Sequence, residues 1–250
     1  MSMTNTRRGS ASEVSGVSRL IGTARTTGLL YLGLAITGLL GSVLVRGQLY
    51  VADHAAGTMS NLVQHTWLAN LGLVLELSIV LTQALAAVWF FRLFRSVDAF
   101  GAGLVAAFGM VNAVVILGSA AVLATALDVA AHRSLAVSGG AAATVQLLYV
   151  ISGHLWGVGG LFFGLWLIPM GWLVVRSRWM PQLLGQVLMA GGVGYVLSTF
   201  VSYAFADASL VAGLLTVPAT IGELWMVGYL LLVGVREHPR SEGDIVRAAE

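Results

Sequence analysis

The chain contains no cysteine and no lysine, has four prolines, and carries charge on only 10% of its 250 residues. The missing cysteine excludes disulfides, thiolate metal sites and cysteine nucleophiles, and leaves the redox compartment unread. With no lysine, all thirteen basic residues are arginine, and beside the abundant Ala, Val and Gly this reflects GC-rich coding better than a phosphate-binding purpose. The charged share lies far below the roughly one quarter typical of soluble domains. A net charge of +2 without a basic stripe interleaved with aromatics excludes nucleic acid as a partner class. Phosphate loops, dinucleotide fingerprints and Ser-His-Asp constellations are also missing.

What is present is apolar sequence, 58% of the chain. Runs at 27–45, 67–91, 102–127, 146–175, 183–204 and 210–235 are each long enough to cross a bilayer, which takes about 20 helical residues. The first run is too long for a signal-peptide core and lacks a small-x-small cleavage pattern, so it reads as a retained helix. The predicted fold is all-α, a polytopic bundle of six transmembrane helices at 27–235 with tails at 1–26 and 236–250. Eleven arginines fall at one set of helix ends, and only Arg46 and Arg133 at the other. Because positive loops stay in the cytoplasm, this predicts both termini inside, and every loop agrees in sign. The lipid bilayer is the one partner the composition requires, and oligomeric state is not read from it.

Residues 1–20 and the stretch after Arg236 read as disordered or surface-lying tails. The loop from Arg46 to His65 has room for a short interfacial helix starting near Ser60 or Asn61, and the loop from Asp128 to Ala143 reads as flexible. Gly153-x-x-x-Gly157 and Gly160-x-x-x-Gly164 in the fourth span, with Gly191, Gly192 and Gly194 in the fifth, predict close helix packing centred on the fourth span. Pro169 predicts a kink near its end. Trp67, Trp172 and Trp179 fall where interfacial anchors sit.

Ionisable side chains inside spans cost about 2.5 to 3.5 kcal/mol each on insertion scales, so Glu76, His154 and Glu223 ask for partners. Counted back from the arginine-rich ends, they lie roughly 24, 33 and 20 Å deep, all in the outer half. Gln83 shares a face with Glu76, while Tyr195, Ser198 and Ser202 form a stripe on the fifth span; Asn112 and Thr37 also reach inward. Three readings follow. One is an outward-facing polar pocket that binds a small ligand or moves protons, using Glu76 and Glu223 as carriers and His154 as orienting partner. A second is a divalent metal held by His154, Glu76 and Glu223 in an intramembrane hydrolase, since zinc takes three protein ligands plus water. The third is a structural or regulatory subunit whose polar groups fix helix register.

The order of elements in HLWGVGGLFFGLWLIPMGWLVVRSRWMPQLLG, from His154 to Gly185, resembles the bacterial membrane family catalogued as domain of unknown function 4386. Ala24-Arg-Thr-Thr-Gly-Leu-Leu-Tyr31, the Glu76 region and Pro218-Ala-Thr-Ile-Gly-Glu223 support it, while Leu224-Trp-Met-Val-Gly-Tyr229 departs from the family's leucine-tryptophan run. The resemblance implies a six-helix protein of the bacterial inner membrane, with Glu76, His154 and Glu223 at family motif positions, and it brings no activity with it.

Overall fold

The computed structural model describes residues 4–138, 140–205 and 207–236. Its helices are α1 (Thr4–Leu39), α2 (Gly47–Leu49), α3 (Ala55–Gln64), α4 (Thr66–Phe94), α5 (Ala99–Ala131), α6 (Ala141–Ser177), α7 (Gln182–Ala204) and α8 (Ser209–Leu232). A π-helical segment, Leu40–Arg46, joins α1 to α2. Six helices are long and apolar enough to span a membrane, the first of them Ser18–Leu49, and the described residues contain no strand. The tail expected at 1–20 is helical from Thr4, because a formed helix extends without a new nucleation cost. The tail at 237–250 lies outside the described residues.

Each span packs against its neighbours in sequence, and α8 returns to α1, so the six spans form a ring. Side chains fill its centre. Tyr31, Phe90 and Trp166 are buried and meet edge to face in all three pairings, with ring centroids 5.4 to 5.9 Å apart. That geometry places the positive edge of one ring on the negative face of the next. The expected glycine packing is present on α6 and α7. A Cβ on Gly164 would stand 2.7 Å from the Gly192 carbonyl oxygen, and one on Gly192 equally close to that of Gly164. Gly171 and Gly185 repeat the contact two turns on, so the two backbones touch over the length of the interface. Gly191 and Gly194 serve α8 in the same way, against Ala219 and Leu215. The helix of α6 continues through the buried Pro169.

Arg92, Arg95, Arg176, Arg178 and Arg236 gather at one end of the ring, here the basic end. Asp98 caps α5 by accepting from the Gly101 amide at 2.7 Å and lies 3.8 Å from Arg176, tying the turn after α4 to the end of α6. Trp179, expected as an interfacial anchor, stacks on Phe94 and gives its carbonyl to the Tyr229 hydroxyl and the Arg236 amide, whereas Trp67 and Trp172 are exposed.

The far end is more ordered than the sequence predicts. Its short helix starts at Ala55, five residues before Ser60, because His54 rather than Ser60 or Asn61 supplies the cap, its Nδ1 accepting from the Gly57 amide at 2.9 Å. The stretch read as a flexible loop holds a 3-10 turn, Arg133–Leu135, and α6 begins at Ala141. Leu49, Met59 and Leu62 from α2 and α3 pack with Leu68, Val129 and Tyr149 into a second apolar core that roofs this end.

Candidate functional site

Beneath the roof lies a cavity of about 400 Å³ between the last turns of α1 with the π segment, α4, α5 and α6. Its wall includes the apolar Leu49, Leu73, Ile79, Leu123 and Leu127, with Gly38, Gly41 and Gly72 beside them. Its polar groups are Arg46, Glu76, Tyr149 and Trp156. The cavity is therefore amphiphilic, it contains Glu76 alone of the residues expected in a polar pocket, and its volume falls within the 300 to 1,000 Å³ common for small-molecule sites.

Glu76 is 5% exposed. Its Oε1 accepts from the Ser119 hydroxyl at 2.6 Å and from the Trp156 indole N–H at 2.7 Å. Ser119 lies 2.8 Å from the Ser152 hydroxyl, which accepts from Arg46 Nη1 at 3.0 Å. Each hydroxyl has one proton to give. Ser119 gives its proton to Glu76, so Ser152 donates to Ser119, and every donor in the chain points from Arg46 toward Glu76. Such a run of aligned bonds polarises each of its members in a low-dielectric interior. Glu76 Oε2 is buried without a partner among the described residues. An unsatisfied buried acceptor costs about 1 to 3 kcal/mol.

Arg46, which the sequence places in a loop at the membrane surface, is the residue that this reading missed. The π segment shifts the register of the last turns of α1 and brings the guanidinium inward, a use common to π-bulges at functional sites. Arg46 Nη2 donates to the Tyr149 carbonyl at 2.8 Å, and the guanidinium sits 5.7 Å from the ring centres of both Tyr50 and Tyr149. Gly153 allows the approach, since a Cβ there would come within 3.0 Å of Nη2. Tyr149, Ser152 and Trp156 are spaced three and four apart along one face of α6, a stripe the sequence displays but that only the partner helices make legible.

The three ionisable residues read from the sequence do not converge. His154 is two positions beyond Ser152, which turns it to another face of α6, and its Nδ1 pairs with the Tyr203 hydroxyl of α7 at 3.1 Å. Glu223 accepts from the Tyr31 hydroxyl, joining α8 to α1. Tyr31 touches Phe90, which is about 20 Å farther along α4 than Glu76 at the helical rise. The expected metal set of His154, Glu76 and Glu223 is thus dispersed over three helix faces, and no group of three His, Asp or Glu suited to a metal ion occurs among the described residues.

Gln83 is on the buried face of α4 with Glu76, as expected, but about 10 Å away, and neither atom of its amide has a partner among the described residues. The Trp166 indole N–H is likewise unpartnered. Both side chains border Gly109, where a Cβ would stand 3.3 Å from Gln83 Nε2 and 3.0 Å from the Trp166 ring. Tyr195 packs on Phe163 at 5.1 Å and over Gly160, and Ser198 is buried on α7; neither lines the cavity. Thr37 donates back to the Gly33 carbonyl within α1.

No curated protein and no solved structure matches this sequence. A family profile does, over residues 26–234, which takes in the first span from residue 26 and the other five whole, and with them Tyr31, Arg46 and Glu223. The chain belongs to the membrane-spanning family described as Domain of unknown function (DUF4386).

Proposed function

We propose that this protein binds a small, largely apolar ligand in the cavity at the far end of the bundle, with Glu76 Oε2 accepting a hydrogen bond from it. The observation that carries the reading is that oxygen: buried, unpartnered, and part of a carboxylate that lines an amphiphilic space. The packing role expected for all three residues suits Glu223, bonded to Tyr31, and His154, bonded to Tyr203, whereas Glu76 keeps a buried acceptor that the fold leaves without a partner among the described residues. The arginine asymmetry supports N-in, C-in topology in a bacterial inner membrane, which puts the cavity in the outer half of the bilayer.

Dodecanol, a single hydroxyl donor on an apolar chain, is a suitable probe for thermal unfolding of the purified protein in detergent. Dodecanol is expected to raise the unfolding temperature of the parent protein. Gly41→Leu fills the cavity from a position where a Cβ has ordinary room, 3.8 Å from Leu75 Cβ, and should abolish the shift. Equal stabilisation of the parent, Gly41→Leu and Glu76→Ala would remove the proposal.

A further inference from the structure

The cavity holds two opposite charges kept apart. Arg46 and Glu76 do not meet; Ser152 and Ser119 stand between them and carry the contact as a hydrogen-bond relay. Each keeps unused hydrogen-bonding capacity, and both residues line the same space. Glu76 has a free acceptor in Oε2, and Arg46, a five-donor group, gives one bond from Nη1 and one from Nη2. A cationic ligand on Glu76 would be repelled by Arg46, and an anionic one on Arg46 by Glu76. A head group carrying both signs complements both walls.

The far-end surface is closed over this space by the apolar core of α2 and α3, in which Leu49 and Leu62 are almost fully buried. On the flank the wall is thinner. Gly38, Gly41, Arg46 and Gly153 are half-buried and Trp156 is exposed. The close approaches of α1 to α8 and the residues just after it, Gly28 to Leu230, Tyr31 to Glu223 and Ile21 to Gly234, lie toward the basic end. Toward the far end, Ile36 and Leu39 on α1 and Val217 and Ile221 on α8 turn apolar side chains outward, to where acyl chains would lie. A polar solute from water would meet the roof, whereas a bilayer molecule could insert its head and leave its tail in lipid.

We infer that the occupant is a zwitterionic amphiphile drawn from the bilayer, its anionic group on Arg46 and its ammonium on Glu76 Oε2; this rests on the cavity being a ligand site. Thermal unfolding of the full chain in detergent, titrated with lysophosphatidylethanolamine, lysophosphatidylglycerol and lysophosphatidylcholine of equal chain length, tests it. Lysophosphatidylethanolamine, which has both the anion and N–H donors, should half-saturate the shift at a concentration about tenfold lower than either of the others. That preference should disappear in Glu76→Gln and in Arg46→Gln; where a variant does not fold, selectivity in the parent chain decides.

Equal shifts from the three lipids would overturn the inference. A shift of the same size from free phosphoethanolamine would overturn the bilayer source and assign a soluble one. A response to dodecanol without any preference among the lipids would remove the head-group assignment while leaving the ligand site standing. No response to any of these compounds would remove both.

Discussion

Removing the Ser119 hydroxyl breaks the relay at its middle. Ser119→Ala leaves Glu76 Oε1 with the Trp156 donor alone, and leaves Ser152 with a proton and no acceptor on the Glu76 side. In water-soluble proteins a hydrogen bond to a charged group contributes about 1.5 to 3 kcal/mol. Inside membranes, measured interhelical bonds average about 0.6 and reach about 1.7 kcal/mol, because the unfolded helices also find partners in the bilayer. The bond here is 2.6 Å long between residues 0% and 5% exposed, which places it at the upper end of that range. Ser119→Ala should therefore cost about 1 to 2 kcal/mol.

The sharper quantity is coupling. In a double-mutant cycle with Glu76→Gln, measured by reversible unfolding in mixed detergent followed by circular dichroism, the pair should be non-additive by about 1 kcal/mol. A control cycle of Ser119→Ala with Tyr31→Phe joins sites that share no partner and should be additive within about 0.5 kcal/mol. Additivity in the first cycle, or equal coupling in both, would refute the relay as an energetic unit.

Two further outcomes follow from packing. Gly164→Ala should destabilise by about 1 to 3 kcal/mol, since its Cβ would press on Gly192 backbone 2.7 Å away, whereas Gly103→Ala, with nothing within 4 Å, should gain up to about 1 kcal/mol of helix propensity. The same unfolding assay checks both, and stabilisation by Gly164→Ala would contradict the close α6–α7 contact. Gln83→Leu should be neutral or stabilising, because it removes a buried amide without partners. A loss above about 1 kcal/mol would show that the amide holds a bound partner, such as water.

The sequence alone was enough to determine the membrane class, six spans and the gathering of arginines at alternate helix ends. Hydrophobic length and charge count act locally along the chain, and the bilayer imposes them on each span separately. The same is true of the glycines on α6 and α7, whose small size matters in any close helix pair. Faces and partners belong to the tertiary structure. His154 and Ser152 differ by two positions, yet one meets α7 and the other joins the Arg46–Glu76 relay, and only the placement of neighbouring helices separates them. Depth counted along each helix put Glu76, His154 and Glu223 all in the outer half, but it carries neither rotation about the helix axis nor which neighbouring helix each side chain meets. Arg46 was hidden for a related reason: a seven-residue π segment changes which way the last turns of α1 face, and a charge expected in a surface loop lines the cavity.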